Sequence, residues 1–181
     1  MAAGFARLGA EGVEAVRVEV LARDLGVSKG SFYWHFRDRE DLLEKMLARW
    51  EGDELEWLSS VIADDRSAAV RWARLVERSS GADRMRAEAA LRAWARRDTR
   101  VATRILRVEK RRAGYIATVL LDVGFTARAA ESWSELAMLV YLGWLDRATR
   151  DPEFQLAGPG LGEFLSELVL AASGRTSTSN R

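Results

Sequence analysis

The sequence predicts an all-α protein, and three observations carry that reading. Apolar residues recur at helical spacing along most of the chain, and no segment sustains the alternation of a strand followed by a hairpin turn. Only two prolines interrupt 181 residues that are rich in Ala, Leu, Arg and Glu, all good helix formers. Capping and breaking residues stand between the periodic segments: Gly26 with Ser28, Asp38 with Asp41, Asp151 with Pro152, and Gly158, Pro159 and Gly160.

Composition narrows the class. The chain is 48% apolar and 30% charged, ordinary for a folded soluble protein, and its length suits one domain or a small one joined to a larger one. It has no cysteine, which excludes disulfides, thiolate metal sites and cysteine nucleophiles and fits a reducing cytoplasm. The N-terminus lacks the apolar stretch of a signal peptide, and the most apolar run, Leu136 to Leu145, is too short to span a bilayer. The reading is therefore cytoplasmic, with no membrane and no cofactor. A net charge of +1 points to no partner, and residues 1–50 carry eight charges of each sign. Any nucleic-acid contact there rests on placement, not bulk charge. From Arg84 to Arg112, eleven basic residues face three acidic ones, a pattern most simply read as a solvated helix face.

The elements follow in order. A short helix over Ala2 to Leu8 is expected to stop near Gly9 and Gly12. A second runs from Val18 to Leu25, with Val18, Leu21 or Ala22, and Leu25 inward, and Gly26 suits the residue after its end. Ser28 caps a third helix. Asp38, with Asp41 three residues on, imitates a capping box and opens a fourth, which repeats Leu43, Leu47, Trp50, Trp57 and Val61 and continues to about Ala63. Further helices are expected at Ser67 to Ser79, Asp83 to Arg96, Asp98 to Val123, Ala127 to Thr149 and Leu161 to Ala172. Val101, Ile105, Val108, Tyr115, Val119 and Val123 form one stripe on the Asp98 helix. Residues 173–181 read as a disordered tail.

Two short helices joined by a glycine-containing turn, Gly26-Val27-Ser28, outline a helix-turn-helix. On a wheel of the third helix, Phe32 and Phe36 stack on one face and Trp34 points almost directly away, near Gly30 and Ser31. Tyr33 and His35 fall at the two margins. A tryptophan on the outer face suits contact with a structured polar partner, and duplex DNA explains its neighbours. Lys29 reaches phosphate or a guanine edge, Gly30 permits close approach, Ser31 donates, and Trp34 offers an apolar surface to thymine methyls or sugar. The rival reading of His35 is a satisfied structural histidine. Metal binding is poorly supported with one histidine and no cysteine, and nucleophilic catalysis lacks a partner for it, so enzyme activity is not expected.

The segment Val13 to Leu47, with G-V-S-K-G-S-F-Y-W-H-F followed by x-D-R-E-x-L-L, resembles the tetracycline-repressor (TetR) family of transcription regulators. The resemblance implies a division into a helix-turn-helix DNA-binding domain at 1–47 and a helical effector-binding and dimerisation domain at 48–172. It implies DNA contacts by Lys29, Gly30, Ser31, Tyr33, Trp34 and His35, with Ser28 opening the same helix, and a phosphate contact by Arg39. The last two large helices are expected to form a homodimer, with Leu136, Leu139, Val140, Gly143, Phe164 and Leu168 at the interface. A small molecule among the C-terminal helices would move the fourth helix and release a near-palindromic operator. Trp94, Tyr115 and Trp133 are the candidate pocket walls, although tryptophans here read first as core. Two departures stand out. The family has about ten further, often basic, residues before the position of Met1, so the first helix is entered midway. A Ser or Thr that touches phosphate commonly opens the second helix, where this chain has Val18, which leaves Arg17 as the candidate substitute. The alternative is a helical small-molecule-binding or interaction protein with an impaired DNA-binding head.

Overall fold

A computed structural model describes residues 1–63, 66–79, 81–151, 153, 154 and 167. Among them are eight α-helices and no strand: α1 (Ala2–Glu11), α2 (Val18–Asp24), α3 (Lys29–His35), α4 (Arg39–Ile62), α5 (Ala68–Ser79), α6 (Ala82–Ala95), α7 (Thr99–Asp122) and α8 (Ala127–Arg150). A single 3-10 turn, Val13–Ala15, links α1 to α2. Apart from Glu167, the expected helix at 161–172, with Phe164 and Leu168, and the tail at 173–181 lie outside the described residues. No helix among the described residues is long and apolar enough to cross a membrane.

The chain packs as two compact units that do not follow chain order. The first comprises Met1–Glu56 with Ala82–Val108, and the second Trp57–Gly81 with the chain from Glu109. In the first, Leu8, Val16, Val18, Leu21, Ala22, Phe32, Leu42, Leu43, Met46, Leu47, Leu91, Val101 and Ile105 form one buried cluster, with Phe36, Trp50 and Trp94 packed at its margin. Removing each large aliphatic side chain from water contributes roughly 1.5–3 kcal/mol, enough to hold helices as short as α2 and α3.

α1 passes straight through Gly9 and ends at Glu11, with Gly12 taking a left-handed φ of 82°. Gly9 is therefore a packing residue and not a helix breaker. A Cβ there would stand 3.2 Å from the Ala87 backbone nitrogen and 3.3 Å from Arg86 Cβ, so α1 meets α6 almost backbone to backbone. Arg7 adds a second tie, its guanidinium paired with Glu11 and with Asp24 of α2.

The basic excess between Arg84 and Arg112 is not simply a solvated face. Arg100 pairs with Glu40 at 2.6 Å and Asp98 at 2.9 Å. Arg104 pairs with Glu44 and, at 2.8 Å, with Glu51, which Arg107 also meets. Arg84 meets Glu54. Basic residues of α6 and α7 thus answer an acidic row on α4, in which Glu51 and Glu54 are buried. A buried carboxylate without such a partner would carry a large desolvation cost.

In the second unit the buried side chains include Leu58, Val61, Trp72, Leu75, Ile116, Val119, Leu120, Phe125, Met138 and Leu145. Tyr115 is fully buried and its hydroxyl donates to the Arg71 carbonyl at 3.0 Å. Thr126 caps α8 by accepting from the Ala129 amide at 3.3 Å. Two apolar residues expected inward are exposed, Leu25 at 54% and Val123 at 38%. Both stand one residue past the end of a helix, each amide still donating to the carbonyl four residues back, so they keep the helical position but lie at an end that no neighbour covers.

Candidate nucleic-acid interface

The turn between α2 and α3 is built from backbone hydrogen bonds. The Val27 amide donates to the Ala22 carbonyl at 2.9 Å and the Gly26 amide to the Arg23 carbonyl at 3.1 Å, with Gly26 at φ 65°. This paired closure of a helix end requires a left-handed residue, which glycine adopts without Cβ strain. One residue later the Ser28 hydroxyl accepts from the Ser31 amide at 3.1 Å and starts α3.

α3 has seven residues and one buried side chain, Phe32, whose ring centroid lies 4.7 Å from that of the half-buried Phe36. Every other residue of the helix is exposed: Lys29, Gly30, Ser31, Tyr33, Trp34 and His35 form one continuous outer surface. Trp34 is 85% exposed, and the His35 ring stands edge-on to it at 5.2 Å. Lys29 lies 3.6 Å from Glu19 of α2, with both side chains more than half exposed. Gly30 has no packing reason to lack a side chain, because a Cβ there would meet only Ser28 Oγ, at 3.8 Å.

The flanking basic residues divide. Arg17, the residue before α2, turns its Nε to the Glu14 carbonyl at 3.1 Å, while Val18 behind it is core. Arg39 faces the protein: Nε donates to the Val16 carbonyl at 2.8 Å and Nη2 to the Val13 carbonyl at 2.6 Å, with Glu14 3.7 Å away. It joins the start of α4 to the 3-10 turn ahead of α2. Arg37 remains outward, 3.7 Å from Asp41.

Asp38 caps α4 by accepting from the Asp41 amide at 2.7 Å. Asp41 reaches back, but to the Arg37 amide at 3.1 Å, one residue before the cap. Lys45 was not singled out in the sequence. Its ammonium donates to Asp41 at 2.9 Å and to the His35 carbonyl at 2.9 Å, which ties α4 to the last turn of α3. The hydrogen bond from Lys45, and then that from the Arg37 amide, hold the Asp41 carboxyl below its ordinary value. The Asp41–Lys45 spacing is visible in the sequence as an i,i+4 pair, whereas the carbonyl that Lys45 finds is not.

The residues considered for an effector pocket are not gathered in one unit. Trp94 packs at the margin of the first unit's core, while Tyr115 and the half-buried Trp133 belong to the second. Of the interface candidates on α8, Leu136 and Leu139 are exposed, Gly143 is exposed with open space around it, and Val140 is half-buried.

Residues 1–46 match the family model for bacterial regulatory proteins of the tetR family. Over these residues the chain is similar to that family's N-terminal domain. Beyond residue 46 the similarity is one of fold, shared with solved structures over nearly the whole chain. A protein from Saccharomonospora viridis in complex with choline superposes with a TM-score of 0.73 at 18% identity, covering 92% of this chain and 91% of that one. A transcriptional regulator from Rhodococcus sp. Rha1 gives a TM-score of 0.70 at 21% identity over 96% and 91%. The transcriptional regulator FadR from Bacillus subtilis, in complex with stearoyl-CoA, gives 0.61 at 15% identity over 93% and 92%. No curated protein matches the sequence. The chain is thus similar over residues 1–46 to the tetR-family model and shares its overall fold with these solved structures.

Proposed function

We propose that this chain is a ligand-responsive transcriptional repressor that binds a near-palindromic operator in duplex DNA as a homodimer and is released by a small molecule. The observation that carries the DNA-reading part is the outer face of α3. An 85% exposed tryptophan, flanked by Lys29, Gly30, Ser31, Tyr33 and His35, stands on a helix fixed at both ends. Exposing an indole to water is unfavourable, and a helical glycine without a packing role is less favourable than alanine. Both features gain a purpose if α3 enters a major groove, where Gly30 lets the duplex approach and Trp34 meets an apolar edge. Arg17 and Ser28 belong to the proposed phosphate-facing set, and Arg39 contributes by bracing the head. Residues 1–47 are the proposed reading domain and 48–172 the proposed effector and dimer domain.

The dimer is proposed to form through α8, where Leu136 and Leu139 are exposed beside Val140 and Gly143. Phe164 and Leu168 remain part of that proposal from the sequence alone. Choline and stearoyl-CoA, held by two proteins of this fold, differ entirely in charge and size, so the fold itself selects no effector class. Tyr115 and Trp133 are the proposed effector-site residues. Trp94, packed at the margin of the first unit's core, remains a candidate from the sequence alone.

The test is selection from a random duplex library with the chain Met1 to Arg181 at near-physiological salt. Recovery of an inverted repeat, with half-sites about one helical turn apart, is expected. Failure to enrich any sequence would instead favour a ligand-binding protein with an impaired head.

A further inference from the structure

We propose that Lys45 is a positioning residue for DNA reading, one that holds the end of α3 from α4 and so sets the direction of Trp34 and His35 without touching DNA. The inference rests on the reading of α3 as the DNA-contacting helix.

α3 is two turns long, too short to be stable by itself, and its final carbonyls have no donors within the helix. Its start is fixed by Ser28 and the closed turn at Gly26, and its middle by Phe32. Beyond Phe32, only the half-buried Phe36 packs the far end of this short helix on the core. The remaining constraint lies at the far end, and three contacts of Lys45 converge there. Its ammonium donates to the His35 carbonyl at 2.9 Å, lies 5.3 Å from the Phe36 ring centroid, and pairs at 2.9 Å with Asp41. Asp41 in turn accepts from the Arg37 amide at 3.1 Å. Residues 35, 36 and 37 are thus gripped in succession by one lysine–aspartate pair. A cation at a helix C-terminus also meets the negative end of the helix dipole. With Trp34 85% exposed, its direction is set by the backbone of α3 and not by packing.

The sequence pair at 41 and 45 would, by itself, suggest an ordinary surface i,i+4 ion pair of little consequence. The bond to the His35 carbonyl distinguishes it, because it crosses from α4 to α3. It also separates Lys45 from a phosphate contact, since its ammonium is directed at the protein backbone.

The experiment uses the full chain, with Lys45→Met, which keeps the side-chain stem, and Lys45→Arg, which keeps the charge. Affinity is measured across a salt series on the inverted repeat recovered by the wild type and on a scrambled duplex of equal length. Lys45→Met is expected to weaken operator binding about tenfold, the loss of roughly one charge-assisted hydrogen bond, and to leave scrambled binding within about twofold. The slope of log affinity against log salt stays at the wild-type value, because no phosphate contact is lost. Lys45→Arg restores most of the operator affinity. His35 is the chain's only histidine, so its ring resonances are identified without assignment. They shift or broaden in Lys45→Met without DNA and return towards wild type in Lys45→Arg, with helical circular dichroism unchanged throughout.

A slope reduced by about one unit per reading head would make Lys45 a phosphate contact and overturn the proposal. So would equal losses on both duplexes, or unaltered operator affinity with unaltered His35 resonances. If the wild type recovers no operator, the DNA reading itself fails, and His35 resonances that stay unmoved in Lys45→Met would then overturn the positioning claim separately.

Discussion

Arg39 stands where the family resemblance implies a phosphate contact, yet its guanidinium donates inward to the Val13 and Val16 carbonyls at 2.6 and 2.8 Å. Replacing it with methionine keeps the aliphatic stem and removes both bonds. A hydrogen bond from a charged donor is worth about 1.5–3 kcal/mol, but Arg39 is 38% exposed and water can replace part of each bond. Two such bonds, discounted accordingly, give a destabilisation of about 2 kcal/mol. For a chain of this length that corresponds to roughly 4–8 °C in Tm. The assay pairs a urea or thermal unfolding curve with a DNA salt series on the same variant. A brace predicts the stability loss together with an unchanged salt slope per bound dimer. Arg39→Lys should recover little, because one ammonium cannot span both carbonyls. An Arg39→Met variant as stable as wild type, with its salt slope reduced by about one per head, would refute this reasoning and return Arg39 to the phosphate.

Three further outcomes are expected. Glu51→Gln leaves Arg104 and Arg107 without their shared carboxylate, but Arg104 keeps Glu44 and Arg107 is half exposed. The cost should therefore fall below the 3–5 kcal/mol of a fully buried broken pair, at about 2 kcal/mol in urea unfolding. Gly9→Ala should fail to show the roughly 1 kcal/mol gain that alanine normally brings to a helix interior, because its Cβ presses on Ala87, and Gly9→Val should destabilise by about 2 kcal/mol in the same assay. Leu139→Glu, at a position 65% exposed on α8, should release monomers in sedimentation velocity and lower Tm in a concentration-dependent way; an unchanged dimer would move the interface elsewhere.

The parts of the fold that were legible in the sequence are those governed by local rules. Ser28, Gly26 and Asp38 each act within four residues of their position, and each does in the structure what its residue type suggests. The exposure of Trp34 followed from its angle to Phe32 and Phe36 on one short helix. Non-local partners were not legible. Gly9 resembles a breaker until α6 is seen against it. The arginines of α6 and α7 resemble a solvated face until the acidic row of α4 is brought to them. The inward roles of Arg39 and Lys45 were not legible because the acceptors they find are backbone carbonyls 26, 23 and 10 residues away, and any residue type can supply a carbonyl. Helix ends misled at Leu25 and Val123, which stay on the helical stripe but are exposed where the helix stops.

The central claim is that the outer face of α3 reads base sequence, and Trp34 is its most exposed part. The most direct measurement is the ratio of affinities for the recovered operator and for a scrambled duplex, in wild type and in Trp34→Ala, at one fixed salt concentration. Loss of a base-edge contact should lower that ratio about tenfold or more, while scrambled binding stays within about twofold. An unchanged ratio, whether both affinities fall together or neither falls, would contradict a reading role for this face.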